Sequence, residues 1–258
     1  YCVKSDGNPF KKIELKTFSK PMSKIYFFRH AQASLGSDNY DVLSKKGELQ
    51  ALELGKYLVA NKYIFDKIYV GELTRQQHTC KIVSEVYKEN NLTFPKPIIL
   101  KGLNEHQATE AMKIEIPKMI NSDPVIKSLW KEIELDPKKK NGNLMLGFEY
   151  FLNLWVTDKI KVDGIIPWKD FRENVRNGLK IILDNTKKSQ YIGVFTSGGT
   201  ISSISAESLK ISDEKKIAGL NFSIRNTSFT SFLFSKNQFN LLSFNELPHL
   251  EKEMITFV

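Results

Sequence analysis

The chain has 258 residues, 41% of them apolar, enough to bury a sizeable core as one α/β domain with room for an insertion. Its formal net charge is +9, but six of the lysines fall within residues 1–24 against only Asp6 and Glu14, and elsewhere lysines mix with acids as on a solvated surface. No arginine-rich run or zinc-finger spacing supports a nucleic-acid partner, and no apolar run reaches the ~20 residues of a membrane span. Cys2 and Cys80 make neither a disulfide framework nor a metal-ligand spacing, so a reducing cytoplasmic setting is expected, with no metal and no cofactor.

Residues 1–21 lack periodicity and read as an N-terminal tail, native or foreign, preceding a domain over 22–258. Lys24 to Phe28 is an aromatic and β-branched run of strand type that stops at Arg29-His30. A loop rich in Gly, Ser, Asp and Asn spans 35–41. Ser44 is then an N-cap candidate for a helix over about 45–61, with Leu49, Leu52, Leu54, Leu58 and Val59 as its apolar stripe. A strand at 65–70 meets Gly71-Glu72-Leu73-Thr74-Arg75, and a helix follows through Thr79, Ile82, Val83 and Val86. Another strand, 95–100, leads to Leu103-Asn104-Glu105-His106. This strand–helix alternation predicts a mostly parallel sheet with right-handed crossovers, a three-layer α/β/α sandwich.

From about 107 to 164 the pattern changes to charged helical segments broken at Asp123-Pro124 and Asp136-Pro137, with 138–143 as an exposed loop. This stretch is expected to be a helical lid insertion over the carboxyl edge of the sheet, shaping substrate choice. A helix over 168–184, a strand over 191–195 running into Thr196-Ser197-Gly198-Gly199-Thr200, a helix over 201–209, and a hairpin from 227–234 and 239–244 complete the domain.

Polar groups thus gather at one sheet edge, where open α/β folds place their ligands: Arg29-His30, Arg75, Glu105 and Ser197-Gly198-Gly199. Two arginines converging on a point call for an anion between them, and a tetrahedral phosphoryl group suits their fork of donors. Glycines at a helix start let backbone N–H groups approach an anion, aided by the helix dipole. His30 is the candidate nucleophile, and Glu105 the candidate acid for the leaving oxygen, with Glu110 as the neighbouring alternative. His78 and His249 read as structural, Cys80 as a small core hydrophobe, and Trp130, Trp155 and Trp168 as anchors of the insertion.

Together these segments resemble the histidine phosphatase superfamily, the group that includes the cofactor-dependent phosphoglycerate mutases, over roughly 24–250. Arg29-His30 is similar to its Arg-His-Gly signature, with Ala31 in place of the glycine. Gly71 to Arg75 with Thr79 resembles its Ser-x-x-x-Arg-x-x-x-Thr segment, with Gly71 in place of serine. Leu103-Asn104-Glu105 resembles the segment of the proton-donating glutamate, and Arg225-Asn226-Thr227-Ser228 its Asn-x-Ser segment. Thr196-Ser197-Gly198-Gly199 resembles the later His-Gly-Gly loop, but Ser197 stands where the second histidine is expected, as in a Ser-Gly-Gly subgroup. A serine hydroxyl still donates one hydrogen bond but carries no charge, and losing one transition-state donor commonly costs ~100- to 1000-fold in rate.

The resemblance implies a phosphoglycerate mutase-like fold and metal-independent phosphomonoester hydrolysis through a phosphohistidine on His30. Arg29 and Arg75 would clamp the phosphoryl group, and Ser197 with Gly198 would complete the pocket. The expected partner is a small phosphorylated substrate; a homo-oligomer stays open. The alternatives are a family member that binds phosphorylated ligands or phosphoproteins without turnover, a mutase-type phosphotransferase, and last a nucleic-acid-associated protein using its lysine-rich tail.

Overall fold

The computed structural model describes residues 22–34, 41–236 and 238–257. The expected tail (1–21) and most of the loop after the first strand (35–40) lie outside the described residues. The first strand, β1 (Ser23–Arg29), is followed by helix α1 (Lys45–Ala60), β2 (Lys67–Val70), α2 (Thr74–Glu89) and the short β3 (Ile98–Ile99). Three helices come next: α3 (Ala108–Ser122), α4 (Pro124–Leu135) and α5 (Lys140–Val156). Then follow α6 (Trp168–Asp184), β4 (Tyr191–Thr196), α7 (Gly198–Leu209), α8 (Glu214–Asn221), β5 (Phe229–Ser235) and β6 (Gln238–Glu246).

The sheet order is β3-β2-β4-β1-β5-β6. β1, β2, β3 and β4 are mutually parallel, while β5 runs antiparallel to β1 and β6 antiparallel to β5. The fold is therefore a mixed α/β sheet, mostly parallel, as the strand–helix alternation predicted.

β1 sits between β4 and β5 and is buried on both faces, which is why it reads as a continuous apolar run. Its side chains alternate between two cores. Tyr26 and Phe28 join Leu54 and Leu58 of α1 and Val83 and Tyr87 of α2. Ile25 and Phe27 face the opposite core, with Leu179 and Ile182 of α6 and Ile201 and Ile204 of α7. Phe28 stacks on Phe195 of β4 at 5.0 Å between ring centroids, fully buried; burying such a ring is worth ~1.5–3 kcal/mol over leaving it exposed.

Register then fixes the working edge. Arg29 pairs with Thr196, and Val70 with Phe195, so the carboxyl ends of β1, β2 and β4 deliver His30, Gly71 and Ser197 side by side.

Several elements differ from expectation. Ser44 does cap α1, accepting from Gly47 N at 3.0 Å, but Leu49 is exposed. The inner face is instead Gly47, Gln50, Ala51, Leu54, Gly55 and Leu58, because Gly55 packs directly on Val86 of α2. β3 keeps only two residues, both exposed at the sheet edge. The expected loop at 138–143 is a 3-10 turn (Pro137–Lys139) and the first turn of α5, its glycine tolerated at a helix start. At the other break, Asp123 caps α4 through Val125 N and Ile126 N, with Pro124 at the first helical position. α7 begins three residues before its apolar run, and α8 lies in a stretch with no strong apolar periodicity.

Candidate active site

His30 follows the last residue of β1 and is 3% exposed. The backbone of His30 and Ala31 is held by three bonds. His30 N donates to Thr196 O at 2.8 Å, Asn226 Nδ2 donates to His30 O at 3.2 Å, and Ala31 N donates to Thr79 Oγ1 at 3.0 Å. Ala31 does not have positive φ, so its methyl in place of glycine carries no backbone strain.

Arg75 Nε lies 3.1 Å from His30 Nε2. A guanidinium only donates, so Nε2 accepts; the ring proton sits on Nδ1 and goes to Ala31 O at 2.8 Å. Burial first, then the Arg75 and Arg29 charges, hold the imidazole pKa well below 6.5. His30 is thereby presented as a neutral base or nucleophile with its lone pair on the arginine side.

The two arginines are themselves buried, Arg29 at 8% and Arg75 at 7% exposed. Arg29 Nη1 donates to Ile224 O, while Arg75 Nη1 pairs with Asp41 Oδ1 at 2.7 Å. Asp41 also accepts from Thr74 N at 2.7 Å. It supplies the cap that Leu73, at the N-cap position of α2, cannot.

Glu105 is brought in by the loop after β3. Thr196 Oγ1 donates to Leu103 O at 2.6 Å and Thr200 Oγ1 to Asn104 O at 2.7 Å, so this loop is bolted to the β4–α7 junction. Glu105 Oε2 accepts from Gly199 N at 3.1 Å and Oε1 from His106 N at 3.0 Å. The Gly199 N–H at the start of α7 was expected to face a bound anion; it is occupied instead by the Glu105 carboxyl group. Glycine is required here because a Cβ on Gly199 would sit 2.2 Å from Glu105 Oε1. The alternative, Glu110, points to the exposed side of α3.

Ser197 is fully buried, and its Oγ accepts from Gln76 Nε2 at 2.7 Å, leaving its own hydroxyl hydrogen to donate. The second Gln76 Nε2 bond, 3.0 Å to Leu103 O, ties the serine to the Glu105 loop. The Gln76 amide also explains Gly71: a Cβ there would lie 1.9 Å from Gln76 Oε1. Beside these, Gly198 packs under Asn221, and a Cβ on it would stand 3.6 Å from Arg29 Nε.

The structure thus gathers Arg29, His30, Arg75, Glu105, Ser197 and Gly198 at one edge. Asp41, Gln76 and Asn226 were missed as site residues. Asp41 and Gln76 carry no spacing signal of their own, although Gln76 adjoins Arg75 and Asn226 stands in the Asn-x-Ser segment. His78 lies 4.0 Å from Glu48 on the surface, and His249 bonds Thr227 Oγ1 at 3.0 Å, with burial lowering its pKa to about 4. Cys80 is buried, which pushes its thiol pKa up. Among the described residues no group of three or more His, Cys, Asp or Glu side chains could hold a metal ion.

The family model of the histidine phosphatase superfamily (branch 1) matches residues 25–149, which include Arg29, His30, Arg75 and Glu105. Over this stretch, just under half of the chain, it is similar to the histidine phosphatase superfamily. No curated protein matches it in sequence. Among solved structures it is similar to phosphoglycerate mutase from Bacillus anthracis, with 14% identity and a TM-score of 0.60, over 89% of this chain and 96% of that one. A phosphoserine phosphatase from Entamoeba histolytica matches with 20% identity and a TM-score of 0.55, over 89% and 100%. Bacillus stearothermophilus YhfR matches with 18% identity and a TM-score of 0.61, also over 89% and 100%. At these identities the likeness is one of fold, and it spans both a phosphatase and a mutase.

Proposed function

We propose that the chain is a metal-independent phosphomonoester hydrolase working through a phosphohistidine on His30. The observation that carries this reading is the buried His30 with its Nε2 lone pair held by the Arg75 Nε–H. When a phosphate ester enters, its phosphoryl oxygens take over the Arg75 and Arg29 donors, which releases Nε2 to attack. The Nε2–P bond forms as the ester P–O bond breaks, and Glu105 gives its proton to the leaving oxygen. The Glu105 carboxylate then takes a proton from a water that attacks phosphorus. The N–P bond breaks, inorganic phosphate leaves, and both residues return to their starting state.

Ser197 would donate its hydroxyl to a phosphoryl oxygen, oriented by Gln76. The helical segment 107–164 would act as a lid over a small phosphorylated substrate, within a domain covering 22–258. A second reading, binding of phosphorylated ligands without turnover, is favoured by Ser197, since a neutral donor stabilises the transferring phosphoryl group less than an imidazolium.

The test is hydrolysis of phenyl phosphate from pH 4.5 to 8 in the presence of a chelator, with His30→Ala alongside. Chelator-resistant turnover that disappears in His30→Ala supports the hydrolase. Phosphate binding without turnover in the parent supports the binding reading, and turnover untouched by His30→Ala would remove the proposed nucleophile.

A further inference from the structure

Next to Glu105, on the side away from the sheet, His106 is enclosed by three aromatic rings. Trp155 of α5 and Trp168 and Phe171 of α6 stand at centroid distances of 5.9, 5.6 and 5.4 Å. These rings flank the imidazole with apolar surface, in edge-on or tilted contact. Trp168 is pinned in turn, its Nε1 donating to Glu214 Oε2 at 2.7 Å. Only the edge of His106 that carries its nitrogens meets polar groups.

Those groups determine where the ring proton lies. Ala108 N, which can only donate, lies 3.3 Å from Nδ1, so Nδ1 accepts and the proton is on Nε2. Nε2 faces the Asn221 carboxamide at 3.1 Å and Glu105 Oε1 at 3.6 Å. Because Nε2 carries the proton, the Asn221 amide must turn its oxygen toward it, an assignment that hydrogen bonding decides. The Nε2–H is thus aimed between the Asn221 oxygen and the Glu105 carboxyl group, slightly beyond bonding distance of the latter. Glu105 already has one donor on each oxygen, Gly199 N and His106 N.

We propose that His106 is a positioning residue for Glu105: its boxed ring and Nε2–H hold the carboxyl group against the start of α7, in the orientation from which it delivers its proton. The role rests on the hydrolase reading above. As Glu105 hands its proton to the leaving oxygen, negative charge appears on the carboxylate, and the Nε2–H closes on Oε1 as a third donor. The box transmits the placement of α5 and α6 to the acid, since all three rings come from those helices.

The experiment compares two esters that differ in their need for a proton. Phenyl phosphate requires one on its leaving oxygen, whereas 2,4-dinitrophenyl phosphate departs as a stable anion. His106→Phe keeps the aromatic packing and removes the donor. It should lower kcat on phenyl phosphate by about 10-fold with a much smaller effect on KM, and lower kcat on the dinitrophenyl ester at least several-fold less. In a Glu105→Gln background the same substitution should add no further loss, because its effect runs through the acid.

His106→Gln, which restores an N–H at similar reach, should regain most of the lost rate. If His106→Phe melts below the assay temperature, His106→Leu and His106→Gln take its place in the same comparison. Equal losses on both esters, or an undiminished loss in the Glu105→Gln background, would overturn the role. A parent inactive on both esters, or active without His30, would bring down the hydrolase reading itself, and this role with it.

Discussion

Arg75 Nε and His30 Nε2 are 3.1 Å apart, and this one contact assigns the tautomer of the candidate nucleophile. Arg75 is aimed by Asp41, which holds Nη1 at 2.7 Å and also caps α2. Arg75→Lys keeps the charge but loses the planar fork. It should reduce kcat/KM on an aryl phosphate by ~100-fold with little change in melting temperature. Asp41→Ala should reduce activity less, but destabilise the fold by ~1–2 kcal/mol in urea unfolding, because α2 loses its cap. Equal activity of Arg75→Lys and the parent would show that the fork geometry is not used.

Two glycines should respond oppositely to the same change. A Cβ at Gly199 would overlap Glu105 Oε1 at 2.2 Å and His106 Cδ2 at 2.4 Å, whereas at Gly142 in α5 it would meet nothing within 4 Å. Gly199→Ala should displace the acid and cut kcat on phenyl phosphate by ~100-fold. Gly142→Ala should raise stability by ~0.5–1 kcal/mol, since alanine lowers the entropy of the unfolded chain at no steric cost. Thermal melts and steady-state rates on the two variants check both statements.

Acid should act on stability before it acts on the nucleophile. His30 is held well below its ordinary pKa by burial and two arginines, and His249 is lowered to about 4 by burial. Below ~6.5 the unfolded chain protonates these histidines while the folded chain does not, so the unfolded state binds more protons and stability falls with falling pH. Each contributes at most ~1.4 kcal/mol per pH unit, with the His249 share confined to the window between ~6.5 and 4. Urea midpoints measured from pH 7 to 4.5 should decline, and His249→Gln should flatten part of the slope. Because His30 is held well below its ordinary pKa by burial and the two arginines, its protonation should not shape the rate profile near neutral pH.

Restoring an imidazole at 197 should fail on its own. Ser197 is fully buried with Gln76 Nε2 at 2.7 Å from its Oγ, leaving no room for a ring. Ser197→His should therefore lose stability by ~1–3 kcal/mol through overpacking, without a gain in rate. Adding Gln76→Ala should relieve the overlap and raise the rate above that of Ser197→His alone, although the bond to Leu103 O is lost. A gain in rate from Ser197→His by itself would mean that Gln76 gives way more readily than its two bonds suggest.

Much of this protein was legible in the order of its residues. β1 announced itself as an apolar run because it is buried on both faces. The sheet edge could be inferred because parallel strands must end on one side, and the Arg-His pair, the second arginine and the Ser-Gly-Gly loop all fall at such ends. Segment order and residue type were enough to place Arg29, His30, Arg75, Glu105, Ser197 and Gly198 together. Local periodicity also located α1, α6 and the final hairpin, though it overestimated β3, whose two exposed residues depend on pairing with β2 alone.

What only the tertiary structure decided is which donor meets which acceptor. No spacing in the chain shows that Asp41 caps α2 and aims Arg75, that Gln76 fills the space above Gly71 and holds Ser197, or that Glu105 takes the N–H at the start of α7. Nor does it show His106 enclosed by rings from α5 and α6. Each of these contacts joins residues from separate elements, and each depends on ångström-scale placement of side-chain atoms. Sequence pattern carries the periodicity that buries a face; hydrogen-bond pairing at the site follows from the packed geometry, because a donor is satisfied by whatever acceptor the folded chain brings within about 3 Å.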